Sequence, residues 1–157
     1  MEYGYLKLLH VIAVIIFLGN VFTGLFWMHI AVKTRDLKII SHTIKGVIKS
    51  DNFFTIPGVV FITTFGLIAA IYGHFPLLHT GWILWSIILF SISGIVFAVK
   101  VSPLQKKIRQ LTLNQETSTN FDWDTFQKEY LKWEIWGLIA LLTPIAALVM
   151  MTLKIPR

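Results

Sequence analysis

NFFTIPGVVFITTFGLIAAIYGHFPLLHTGWILWSIILFSISGIVFAV, residues 52–99, contains no Lys, Arg, Asp or Glu. An α-helix crosses the ~30 Å hydrocarbon layer with about 20 residues, at 1.5 Å of rise each. The stretch is therefore too long for one crossing. Tyr72-Gly73-His74-Phe75-Pro76 interrupts it with residues that end helices. It reads as a helical hairpin within a membrane, with Phe53–Ile71 running one way and Gly81–Val99 returning.

Outward from this hairpin, the run Leu8–Val32 is equally free of charge, and Ile135–Leu153 is a fourth apolar segment. The expected spans are thus about 8–32, 53–71, 81–99 and 135–153. Strands are not expected, because alternation of apolar and polar residues is absent and a barrel needs many more segments. The fold class that follows is an all-α integral membrane four-helix bundle with helical cytoplasmic extensions, one domain over residues 1–157. Composition agrees: 55% of residues are apolar and 14% charged, against roughly 25% charged in soluble chains. The first run exceeds the ~7–15-residue apolar core of a signal peptide, and no clear small-x-small cleavage site follows it. It reads as a retained span.

Basic residues set the expected orientation. Lys33, Arg35, Lys38, Lys45 and Lys49 lie before the hairpin, and Lys100, Lys106, Lys107, Arg109, Lys128 and Lys132 after it. Four spans put both groups on one side, which the positive-inside rule makes cytoplasmic. Both termini and the turn 72–80 are then outside, in a bacterial cytoplasmic (inner) membrane. The net charge of +6 thereby reports topology, and no nucleic-acid partner is expected.

The cytoplasmic connections show helical spacing of their own. Leu37, Ile40, Ile44, Val47 and Ile48 recur on one face, with Lys38, His42, Lys45 and Lys49 turned away. This pattern predicts an amphipathic helix lying at the membrane interface. Ser50-Asp51-Asn52 is expected to cap the next helix. Leu104, Ile108 and Leu111 carry the third helix past Pro103, and Asn114–Asn120 is a polar linker. Asp122 and Asp124 suit a first helical turn. Phe126, Tyr130 and Trp133 share one face leading into the fourth span.

Few side chains within the spans carry chemistry. The absence of cysteine excludes disulfides, iron–sulfur clusters and thiolate metal sites. His10, His74 and His79 all fall at the expected outer end, and imidazole ligates haem iron, copper or zinc. The plainer alternative is hydrogen bonding to headgroups or backbone. His10 and His29 cannot share one ion, since 19 residues of helix separate them by about 28 Å. His29, His42 and Glu134 form a weaker candidate cluster on the cytoplasmic side, for a metal or a proton relay. The alternative there is a Glu134 that sits in the headgroup layer. Gly19-Asn20 and Thr23-Gly24 give small-xxx-small pairs that suit helix packing and a homo-oligomer. Pro144 implies a kink and a freed carbonyl one turn earlier. No carboxylate falls inside a span, which argues against an ion pump.

Four motifs carry a resemblance: Tyr5-Leu6-Lys7-Leu8-Leu9-His10-Val11-Ile12, Phe54-Thr55-Ile56-Pro57-Gly58 with Gly66, Pro103-Leu104-Gln105, and Leu153-Lys154-Ile155-Pro156. Together they resemble a family of bacterial integral membrane proteins known only as a domain of unknown function. More distantly, the opening resembles HemJ-type protoporphyrinogen oxidases and CopD-type copper-resistance membrane domains. That second resemblance implies haem b with His10 as an axial ligand and Lys7 as a partner for a propionate. It also implies Pro57, Gly66 and Lys154 as landmarks. The third-helix Lys and His of the HemJ pattern have no counterpart in Gly81–Val99, so a second ligand is expected from His74 or His79. The expected function is haem b binding for electron transfer or redox sensing, with Phe17, Trp82 and Trp85 as apolar wall. Two alternatives stand beside it. One is a non-enzymatic component that binds lipid headgroups through Lys38, Lys45 and Lys49, or binds a partner protein. The other is a membrane protein handling a metal through its histidines.

Overall fold

The computed structural model describes residues 2–113 and 121–156. Four helices are long and apolar enough to cross a membrane: α1 Glu2–Lys33, α2 Leu37–Tyr72, α3 Gly81–Leu113 and α4 Trp123–Leu153. No strand occurs among the described residues. The hairpin turn falls at 73–80, where His74 takes a left-handed conformation (φ 55°) and its N–H bonds to Ile71 O at 3.0 Å. The linker expected at 114–120 lies outside the described residues. The main helix pairings are α3 with α4 and α1 with α2.

The amphipathic segment 37–48 does not lie on a membrane surface. Asp36 caps it by accepting from the N–H of Lys38 at 2.8 Å, and the helix then continues into the second span without a break. Its apolar stripe, Ile40, Ile44 and Val47, is buried with Met28, Val101, Ile108, Phe126, Tyr130 and Trp133. This is the larger core of the protein. The stripe turns inward because α3 and α4 also extend past the apolar spans and bring apolar faces of their own. Where water is near, burying those faces against one another is favourable. Within hydrocarbon that drive is absent. The core there is smaller, Ala13, Phe17 and Ile62, while Ile15, Phe22, Val60, Ile71, Ile95 and Leu142 face outward.

Proline positions explain the irregular turns. Two helices widen into π turns, Asp51–Thr55 and Phe97–Val101, where the N–H of Ile56 reaches Asp51 O and that of Ser102 reaches Phe97 O. Each π turn ends just before a proline, Pro57 or Pro103. A proline ring clashes with the carbonyl four residues back and offers no N–H. One extra residue in the turn relieves this while the helix continues. Asp51 is accordingly no cap: it lies in the middle of a continuous helix and is 6% exposed.

Pro144, inside α4, leaves Ala140 O without its usual donor. Ser93 of α3 supplies one, with its hydroxyl 2.6 Å from that oxygen. Ser86 makes a similar contact to Ala147 O at 3.2 Å. Ser93→Ala is expected to destabilise the α3–α4 seam by about 0.6–1.7 kcal/mol. In a Pro144→Ala background, where the helix regains its own donor, the same change should cost much less. Thermal unfolding of the four proteins in one detergent measures this coupling.

Candidate functional site

His10 is fixed between α1 and α2. Its Nδ1 lies 2.9 Å from Ile62 O. A carbonyl only accepts, so Nδ1 donates and, in the neutral ring, Nε2 keeps its lone pair. Ile62 is four residues before Gly66, and the glycine makes this approach possible. A Cβ at position 66 would stand 2.9 Å from both Nδ1 and Cε1 of the ring. The pairing of a backbone-bonded Nδ1 with a free Nε2 is the arrangement that orients metal-ligating histidines.

The structure does not gather the other outer histidines around it. His74 and His79 are exposed on the turn, and His74 serves the backbone geometry there. Among the described residues, no group of three or more His, Cys, Asp or Glu is placed to hold a metal ion. Lys7 is exposed, one turn before His10. Phe17 is buried, edge-on to Phe90 at 5.6 Å. Trp82 packs on Phe75, and Trp85 faces outward. Among the described residues His10 thus bonds to the Ile62 carbonyl and belongs to no group of three or more metal-ligating side chains.

At the opposite end, His29 and Glu134 do meet. Nδ1 of His29 is 2.9 Å from Oε1 of Glu134, and the Tyr130 hydroxyl donates to the same oxygen at 2.7 Å. Burial, and then Glu134, raise the Tyr130 phenol above its ordinary value, so it stays a donor. His42 is exposed and takes no part in these contacts. Next to Tyr130 in the chain, the Glu129 carboxylate holds Lys107 at 3.1 Å and Lys132 at 3.0 Å.

A third polar group went unread in the sequence. Asp51 accepts from Asn20 Nδ2 at 3.0 Å, Thr55 Oγ1 at 2.7 Å and Gln105 Nε2 at 2.7 Å. It ties α1, α2 and α3 together where the two π turns lie. Beside it, Thr55 lines an apolar cavity of about 180 Å³ walled by Phe17, Val59, Phe90, Phe97 and Ala140. Asn20 in the middle of a charge-free run was the available signal: such an amide needs a partner in lipid.

Four long apolar helices, joined by polar contacts between helices, define a multi-pass all-α membrane protein. The chain belongs to the family described as "Predicted integral membrane protein (DUF2269)", whose model matches residues 4–155. No curated protein and no solved structure matches the chain.

Two carboxylates outside the spans give a pH dependence. Hydrogen bonds from Lys132 and then Lys107 hold Glu129 below its ordinary 4.5. Bonds from the Thr125 hydroxyl and N–H hold Asp122, the cap of α4, below 3.8. A depressed folded value favours the folded state most once the unfolded chain's carboxylate is also ionised. This contribution is therefore complete above those ordinary values and is lost as pH falls through the lower folded ones. A melting temperature that falls over that acid range, with a smaller fall in Glu129→Gln, is the expected result of a pH series.

Proposed function

We propose that this membrane protein binds haem b, with His10 as an axial ligand, and serves electron transfer or redox sensing. The observation that carries the reading is the fixed tautomer of His10. Ile62 O takes the Nδ1 proton and Gly66 leaves room for the ring, so a basic Nε2 is presented from a rigid seam between α1 and α2. Haem supplies one-electron chemistry when bound. The part of this chain is to hold the imidazole in one orientation, to strengthen it as a donor through the Ile62 bond, and to place Lys7 near a propionate. In this reading both termini lie outside a bacterial cytoplasmic membrane, as the basic residues of 33–49 and 100–132 favour, and His10 lies toward its outer surface.

The test is the absorption spectrum of protein purified from haem-replete membranes. A Soret band is expected, abolished in His10→Ala and shifted or weakened in Gly66→Ala, where the new methyl displaces the ring from Ile62 O. A colourless wild-type protein, or a His10→Ala spectrum identical to it, refutes the reading.

A further inference from the structure

The carboxylate of Asp51 is enclosed by three helices, yet every partner it has is neutral. Asn20 and Gln105 contribute amides and Thr55 a hydroxyl. Thr55 is 2% exposed and Gln105 3%. Among the described residues no Lys, Arg or His forms an ion pair with Asp51. The titratable cluster of His29, Glu134 and Tyr130 bonds within itself, between α1 and α4. One turn beyond Asp51, Thr55 lines the apolar cavity, and one turn before Gln105, Val101 is buried in the larger core.

A buried charge is costly unless it is paired. Fastening three helices does not require that cost, because an asparagine at position 51 would accept from Asn20 and Thr55 through its oxygen and donate to a turned Gln105 amide, without a charge. An aspartate here makes sense when a positive charge joins it. The side chains present suit that role. An amide offers an N–H2 or, turned by 180°, an oxygen at nearly the same place. With both amides turned, Asn20 and Gln105 join Thr55 and the Asp51 carboxylate as an all-oxygen set, which is what hard cations select. One carboxylate balances one positive charge.

We propose that Asp51, Asn20, Thr55 and Gln105 form a binding site for one small monovalent cation, a proton or an alkali metal ion, where α1, α2 and α3 meet. Occupancy neutralises Asp51 and tightens the three-helix junction, so the folded protein is stabilised by the ion it binds. The site stands apart from His10, and its test does not involve haem.

Thermal unfolding of the full-length protein in detergent micelles tests this. It is run with sodium, potassium or a bulky organic cation at constant ionic strength, each over a pH series. If the occupant is an alkali ion, sodium or potassium raises the melting temperature in proportion to the logarithm of its concentration, and acid weakens the effect. If the occupant is a proton, the metal ions have no specific effect. The infrared band of a protonated carboxyl group then appears in wild type as pH falls and is missing from Asp51→Asn. In either case Asp51→Asn melts at or above the wild-type temperature in the organic cation and has lost the dependence. Gln105→Leu keeps the charge but removes one donor, and is expected to weaken sodium or shift the infrared transition. It provides the readout should Asp51→Asn not fold. Wild type that responds to neither metal ion nor proton, or an unchanged response in Asp51→Asn or Gln105→Leu, overturns the proposal.

Discussion

Inside hydrocarbon every backbone carbonyl and amide needs a partner, and a helix provides one only while its ladder is unbroken. Prolines break that ladder at 57, 103 and 144. The structure answers each break differently from the rest of its regular turns. Pro57 and Pro103 are accommodated by π turns, and Pro144 by a serine reaching from α3. Several polar contacts between helices lie at these places. Asp51 and Thr55 sit in the first π turn, Gln105 lies one turn beyond the second, and Ser93 faces the freed Ala140 carbonyl. The repair of the backbone and the placement of the polar side chains are one arrangement.

The bundle has two regions of different character. Past the apolar spans, helical extensions bury Ile40, Ile44, Ile108, Phe126 and Trp133 to 2% exposure or less. Within the spans, packing rests on small residues and single polar contacts, such as Gly58 on Phe17 and Gly66 on His10. The first region orders the helices, and the second leaves space for an apolar cavity and for a histidine clamped to a carbonyl. Asp51 lies at the boundary between them.

Much of this was legible in the residues. Charge-free runs gave the four helices, and Tyr72–Pro76 gave the hairpin turn. The spacing of Leu104 and Ile108 carried α3 onward, and Pro144 pointed to its freed carbonyl. The segment 37–48 was legible as an amphipathic helix but not in its partner, because periodicity reports an apolar face without saying whether lipid or protein covers it. Ser50-Asp51-Asn52 resembles a cap in sequence. Only the continuity of α2 through a π turn makes Asp51 a buried carboxylate. Of the expected cluster His29, His42 and Glu134, the structure brings His29 and Glu134 together without His42, while Tyr130 was read for its ring and not its hydroxyl. His10 was singled out as a ligand, but the carbonyl that fixes its tautomer depends on a glycine 56 residues away in the chain, a juxtaposition no local pattern encodes.

The account rests on four helices that cross the membrane and leave the lysine-rich end and the hairpin turn on opposite faces. The chain has no cysteine, so single cysteines placed in it report sidedness without interference. His79→Cys and Lys38→Cys, probed in intact cells with a membrane-impermeant thiol reagent, test the claim most directly. The turn position should be labelled from outside, and the position in the basic extension only after the membrane is opened. Equal labelling of both from the outside would contradict the account.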